Sequence, residues 1–142
     1  CGVPSESVKP ADYDDDDRFE IMRLMLEAGG DPNARGRFGL TLLHFAAARD
    51  GFAMWSEMGD RSRLRFVTML LDAGADAGLR DELLCSTAMG WACRYGREAM
   101  AKLLIDRGVS VFEPDAPSWA TPIAWAKKMG HQSIVKLLEE AL

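Results

Sequence analysis

Apolar residues recur along the chain at the spacing of an amphipathic helix. In residues 19–29, positions i, i+3, i+4 and i+7 of one helix face are Ile21, Leu24, Met25 and Ala28. Three further segments have the same character: residues 64–74, 99–108 and 133–142. Glycines that suit a left-handed helix C-cap end the first three segments, at Gly29, Gly74 and Gly108. The pattern predicts four related helices.

A short apolar stretch rich in small residues follows a threonine at three places, after Thr41, Thr87 and Thr121. A threonine hydroxyl caps a helix N-terminus, and Pro122 fits the first helical position, where its missing N–H costs nothing. Thr87 and Thr121 are 34 residues apart, whereas Thr41 and Thr87 are 46 apart. The spacing predicts a repeated pair of helices, with an insertion at residues 51–62.

These residues resemble the ankyrin repeat, a turn and two helices of about 33 residues with a T-P-L-H-x-A core. Residues 41–47 match that core except at Leu42, and residues 70–76 (LLDAGAD) resemble the L-L-x-x-G-A-D segment. Gly90 and Ala124 stand where the later units would have the histidine. The resemblance implies an all-α ankyrin-type solenoid of helix-turn-helix repeats joined by β-hairpin-like loops.

The resemblance also implies a domain organisation. It gives an acidic leader (1–17) and an ankyrin repeat domain (18–142). Within the domain it implies an N-terminal outer-helix half repeat and three full repeats: 18–35, 36–80 with the insertion 51–62, 81–112 and 113–142. We expect Phe45, Trp91 and Trp125 to form one internal rank. The apolar residues of the insertion, Phe52, Met54, Trp55 and Met58, either pack on the stack or offer a partner site.

Charge narrows the range of partners. The chain has 142 residues, 17 bases and 22 acids, for a net charge of −5. All of this net charge falls in residues 1–17, and the remaining residues sum to zero. A neutral body with an acidic leader argues against nucleic-acid binding. The aspartates of residues 14–17 form a solvated segment, lie near a helix N-terminus, or fold back onto a basic surface.

Neither a catalytic nor a metal-binding pattern is recognisable, and we predict no enzyme activity, metal or cofactor. Cys1, Cys85 and Cys93 are too few for a disulfide framework, which favours a reducing compartment and a cytoplasmic location. The alternative is a lipid anchor through Cys1, as in a bacterial lipoprotein. By the resemblance, His44 and His131 are structural. No apolar run is long enough to insert into a membrane.

The resemblance implies that a partner binds along the concave side, which hairpin tips and the exposed edge of the inner helices form. The positions that it makes exposed are Arg35, Arg37, Phe38, Leu40, Arg49, Arg80, Leu83, Leu84, Ser86, Arg94, Tyr95, Ser118, Trp119, Ala120, Lys128 and Met129. Arginine and large aromatic residues are the types most often found as interface hot spots.

Basic residues dominate the charges of this set, so we expect an acidic protein or peptide partner. The resulting prediction is a monomeric, non-catalytic protein–protein interaction module. The alternative is a regulatory or targeting domain excised from a larger multidomain enzyme.

Overall fold

The computed structural model describes residues 15–48 and 60–142, with side chains described from residue 20 and, after the gap, from residue 61. All regular structure in these two ranges is helical, which confirms the all-α prediction. The α-helices are α1 (Asp15–Glu27), α2 (Leu42–Ala47), α3 (Asp60–Asp72), α4 (Ala88–Arg94), α5 (Glu98–Asp106), α6 (Pro122–Lys128) and α7 (Gln132–Ala141). A 3₁₀ turn spans Arg37–Gly39. Arg49, most of the predicted insertion and most of the acidic leader lie outside the described residues.

The chain divides into two units, Cys1–Asp31 and Pro32–Leu142. In the first unit, α1 begins four residues earlier than the apolar pattern predicts. Arg23 forms ion pairs with Glu20 and Glu27 along its surface. The helix ends at Glu27, and Gly29 two residues later has a left-handed φ of 99°, as predicted.

Three helix pairs make up the second unit: α2 with α3, α4 with α5, and α6 with α7. The inner helices pack in the order α2, α4, α6, and the outer helices in the order α3, α5, α7. The inner helices are only six or seven residues long, and a threonine caps the start of each. The threonine Oγ1 accepts a hydrogen bond from the backbone N–H three residues on, for Thr41, Thr87 and Thr121.

Small side chains allow the inner helices to approach each other closely. Ala46, Ala92 and Ala126 are fully buried. Trp91 and Trp125 are also buried, as the predicted internal rank requires. Phe45 is only half-buried, so the prediction holds for two of its three members.

Glycine caps end the outer helices as predicted. Gly74 and Gly108 have φ values of 98° and 85°. The N–H of the residue after each glycine bonds back into the helix, from Ala75 to the Leu70 carbonyl at 3.0 Å and from Val109 to that of Leu104 at 2.9 Å. These bonds satisfy carbonyls that a helix end would otherwise leave unpaired.

The loops that lead into the inner helices contain no strand in the described residues, but hydrogen bonds join neighbouring loops. The N–H of Glu82 donates to the Phe38 carbonyl at 2.8 Å. Earlier in the same loops, Asn33 Nδ2 donates to the Gly74 carbonyl at 3.3 Å, and its Oδ1 accepts from the N–H of Asp76 at 2.5 Å. The loop tips of successive repeats are therefore held side by side.

Candidate interaction surface

His44 links the first repeat to the second. The N–H of Thr41 donates to its Nδ1 at 3.0 Å, so Nδ1 is the unprotonated nitrogen and Nε2 donates to the carbonyl of Ser86 at 2.9 Å. The ring is completely buried, and burial lowers its pKa. The prediction that His44 is structural is confirmed.

Ser86 continues this link into the third repeat. Its Oγ lies 3.2 Å from the Ala120 carbonyl and 2.7 Å from that of Leu84, and it accepts a hydrogen bond from Trp125 Nε1 at 2.8 Å. Ser86 and Ala120 are fully buried and Leu40 is 4% exposed. The expectation that these three residues face a partner was therefore wrong. Each directly precedes a capping threonine. At this position, the backbone carbonyls of Ser86 and Ala120 contact a side chain of the preceding repeat.

The absence of the family's histidine at Gly90 has a steric cause. A Cβ added at Gly90 would lie 3.0 Å from the Cβ of Ser86 and 3.5 Å from Cδ1 of Trp125. Ser86 and Trp125 thus occupy the space that a larger side chain would need. In the first repeat, His44 fills that space instead and meets the ring of Trp91 edge-on, with centroids 5.6 Å apart.

The carboxylate of Asp81 fixes the conformation of the second loop by accepting hydrogen bonds from the loop backbone. It accepts backbone hydrogen bonds from Leu83 and Leu84 at 2.8 Å each and from Ser86 at 3.0 Å, and one from Trp91 Nε1 at 2.9 Å. Burial acts to raise the pKa of this carboxyl, but the hydrogen bonds outweigh it and hold the pKa below its ordinary value. Sequence reasoning did not single out Asp81.

A second set of hydrogen bonds joins repeats at the turn between the inner and outer helices. Arg97 Nη2 donates to the Ala48 carbonyl at 3.2 Å, and one repeat later His131 Nε2 lies 3.2 Å from the Arg94 carbonyl. Arg97 and His131 each stand ten residues after a capping threonine, so the bond repeats with the unit. The prediction that His131 is structural is confirmed.

Two of the predicted partner-binding arginines make internal contacts. Arg35 Nη1 donates to the carbonyls of Gly39 at 3.1 Å and Arg80 at 2.6 Å. Arg80 lies 3.7 Å from the carboxylate of Glu113, which also accepts a hydrogen bond from the Thr87 hydroxyl at 2.7 Å. Burial raises the pKa of Glu113 despite these two contacts. Arg35 and Arg80 thus stabilise the loops.

Three other predicted cations lie on aromatic rings. Arg37 stands over Phe38 at 5.2 Å from the ring centroid. Arg94 stands 4.7 Å from the centroid of Trp125 and 5.5 Å from that of Tyr95, and Lys128 Nζ lies 5.5 Å from the centroid of Trp125. In the part of the chain that the structure describes, none of the three forms an ion pair with an acidic residue.

Large apolar side chains are exposed in all three loops. The exposed fractions are 43% for Phe38, 51% for Leu83 and 53% for Trp119. Met129, which follows α6, is also exposed, whereas Leu84 and Tyr95 are half-buried. We call the residues that remain available on the loops and inner-helix ends the binding surface: Arg37, Phe38, Leu83, Leu84, Arg94, Tyr95, Ser118, Trp119, Lys128 and Met129.

Other chemistry is limited in the described ranges. No three His, Cys, Asp or Glu side chains there cluster in a way that would hold a metal ion. Cys85 and Cys93 are free thiols, and burial, with a smaller effect of the Glu113 charge, raises the pKa of Cys93 to about 12. None of the helices in residues 15–48 and 60–142 has the length and apolar character needed to cross a bilayer.

Residues 54–141 match the family model described as "Ankyrin repeats (3 copies)". The chain belongs to the ankyrin repeat family. The match begins inside the predicted insertion and covers α3 to α7. No curated protein matches the sequence. Ankyrin repeats are generally protein–protein interaction modules and are typically non-catalytic. The stacking of helix pairs observed in the second unit agrees with this assignment, because each pair covers the apolar face of its neighbour.

Proposed function

We propose that this ankyrin repeat protein is a non-catalytic interaction module that binds a protein or peptide partner along the concave face, through the binding surface. The observation that carries the proposal is the exposure of Phe38, Leu83 and Trp119 in three successive loops. Exposed apolar side chains that lie beside one another, with polar groups around them, are typical of interaction sites. Aromatic residues and arginine are also the strongest interface anchors.

The partner is acidic. Arg35 and Arg80 make internal contacts, so the basic character of the binding surface comes from Arg37, Arg94 and Lys128. No carboxylate of the described residues pairs with these three cations. A partner with carboxylates at the matching positions would gain complementary charge, faster association and discrimination against basic proteins.

We further propose that the protein acts as a monomer in the cytoplasm. The free thiols of Cys85 and Cys93 support a reducing compartment. The alternatives of a lipid anchor through Cys1 and of a domain excised from a larger enzyme stay predictions.

Quantitative affinity capture from a lysate of the source organism tests the proposal. The wild-type chain is compared with Phe38→Ala/Trp119→Ala, in which two exposed side chains of the binding surface are truncated. The matched control is Phe112→Ala/Leu142→Ala, because these residues are also exposed but lie outside the binding surface. They line a groove with Leu138 of α7 that shares only Ser118 with that surface. Circular dichroism establishes that all three proteins are folded.

We expect one set of proteins to be captured by the wild type and the control, and to be depleted at least about tenfold by Phe38→Ala/Trp119→Ala. Loss of one hot-spot side chain costs about 2 kcal/mol of binding free energy, which corresponds to a more than tenfold increase in Kd. Equal capture by all three proteins contradicts the proposal, as does selective loss in the control.

A further inference from the structure

Arg94 and Lys128 come from successive repeats and stand at the same indole ring. Arg94 is the last residue of α4, and Lys128 is the last residue of α6. Both cations lie within the roughly 6 Å of the Trp125 centroid at which cation–π attraction is effective. Trp125 is itself fixed, because it is buried and its Nε1 donates to Ser86 Oγ. Both positive charges therefore lie at one ring whose position is fixed.

Neither cation of the pair has an oxygen partner among the described residues. Apart from the aromatic rings, the guanidinium of Arg94 contacts the sulfur of Met129, at 4.0 Å, and Lys128 makes no hydrogen bond there. By contrast, Arg107 pairs with Asp72, Arg80 with Glu113, and Arg97 with the Ala48 carbonyl. Because no carboxylate of the described residues neutralises these two charges, an anion that contacts them would be bound favourably.

We infer that Arg94 and Lys128 form a carboxylate-binding site at Trp125, which accepts an acidic group of a peptide beside a large apolar residue. This inference rests on the proposed interaction function and specifies the position at which the partner's charge is recognised. The planar guanidinium suits a carboxylate that accepts two hydrogen bonds, and the ammonium adds a second charge.

The surroundings of the pair define the apolar half of the ligand. Trp119 meets Trp125 edge-on with centroids 6.0 Å apart, and more than half of Trp119 is exposed. Met129 adjoins Lys128 in the chain and is also exposed. An apolar side chain next to the carboxylate would cover Trp119 and Met129 and exclude water from the ion pairs, which strengthens them.

Binding of short peptides, followed by two-dimensional ¹⁵N NMR, tests the inference without the native partner. The first probe is a hexapeptide with both ends capped that contains one glutamate beside a leucine. In the second probe, glutamine replaces the glutamate. The third is the glutamine peptide with a free C-terminal carboxylate next to leucine, which distinguishes a terminal carboxylate from a side-chain carboxylate. The indole N–H of Trp125 and the amides of Arg94 and Lys128 report binding at the site.

The test variant is Arg94→Gln/Lys128→Gln, and the control is Arg61→Gln/Lys136→Gln, which removes the same charge from exposed positions of α3 and α7. Spectra of the free proteins establish that each variant is folded. Arg94→Lys, which keeps the charge but loses the planar donor fork, serves as a second variant in case the glutamine pair unfolds.

We expect the glutamate probe, or the free C-terminus, to bind wild type and control about tenfold more tightly than it binds Arg94→Gln/Lys128→Gln, with Arg94→Lys in between. Whichever carboxylate gives this difference identifies the source of the ligand. Equal affinity of the capped glutamate and glutamine probes together with no binding of the free C-terminus overturns the inference, as does equal affinity for wild type and the glutamine pair.

Protein capture separates a failure of this site from a failure of the proposed function. If Phe38→Ala/Trp119→Ala loses the native partner while Arg94→Gln/Lys128→Gln retains it fully, the interaction function stands and the carboxylate site is wrong. If the glutamate probe binds at Arg94 and Lys128 while no protein depends on Phe38 and Trp119, the carboxylate site stands and the broader binding surface is wrong.

Discussion

The imidazole of His44 donates a hydrogen bond through Nε2 to the backbone carbonyl of Ser86, although 42 positions separate the two residues in the chain. Ser86 then places its own hydroxyl 3.2 Å from the carbonyl of Ala120, the residue at the same position of the next repeat. A histidine and a serine thus perform the same connection at successive junctions. The rigid alignment of the loops, and with it the binding surface, depends on this chain of contacts.

Replacing His44 with alanine tests the first junction. His44→Ala leaves the buried Thr41 N–H without its partner and removes the ring that packs on Trp91. It also removes one of the two hydrogen bonds of the Ser86 carbonyl, which keeps the one from the Asp81 N–H. We expect the free energy of unfolding to fall by about 2–4 kcal/mol. Urea denaturation followed by circular dichroism measures it. A loss below about 0.5 kcal/mol would mean that the contact does not hold the repeats together.

The same histidine makes stability depend on pH. Burial lowers the pKa of His44 below its ordinary 6.5, so below pH 6.5 the unfolded chain binds a proton that the folded chain does not. The free energy of unfolding therefore falls as the pH decreases below 6.5, and the His44 contribution is complete above that value. The difference in free energy of unfolding between wild type and His44→Ala should be smaller at pH 5.5 than at pH 7.5, as measured by urea denaturation. A difference that is larger at pH 5.5 would contradict a lowered pKa of His44.

At Gly90, the histidine that is usual in ankyrin repeats should destabilise this protein. Gly90→His restores the histidine of the ankyrin core, but its side chain would collide with Ser86 and Trp125. We expect destabilisation by about 1–3 kcal/mol, the usual cost of overpacking a core. Thermal unfolding compared with wild type decides the question. A higher melting temperature in Gly90→His would show that the junction accommodates the family's arrangement after all.

Gly96 and Gly130 form a matched pair at the turns that precede α5 and α7. Both have left-handed φ values, 71° and 76°. A Cβ at Gly96 would lie 2.9 Å from Cε1 of His131, whereas one at Gly130 would have no neighbour within 4 Å. Gly130→Ala should therefore cost about 1 kcal/mol, from backbone strain, and Gly96→Ala distinctly more. Equal losses in urea denaturation would mean that the His131 contact has no energetic weight.

Local features were predictable from the sequence because their causes are local. A threonine before a short apolar stretch and a glycine after an amphipathic one determine where helices begin and end, and Thr87, Thr121, Gly74 and Gly108 do so here. The starts of α1 and α3 lie four residues before the predicted segments, because Asp15 and Asp60 stand in polar sequence that carries no apolar periodicity.

The candidate site was less predictable because it depends on contacts between residues far apart in the chain. Arg35 and Arg80 have the same residue type as Arg37 and Arg94, and only the fold shows that they bond internally. A signal for the burial of Leu40, Ser86 and Ala120 was available: all three directly precede a capping threonine, and none is charged. Asp81 and Gly90 gave no comparable signal, since their partners belong to the loop and to the next repeat.

Photo-crosslinking from Trp119 is the most direct test of the central claim that a partner binds to the binding surface, which includes Trp119 but not Phe112. A benzophenone amino acid replaces Trp119 in one protein and Phe112, which is also exposed in the third loop, in another. After irradiation in lysate, mass spectrometry identifies the covalent adducts. The account predicts protein adducts from position 119 that are absent from position 112. Adducts from position 112 alone, or the same adducts from both positions, would contradict it.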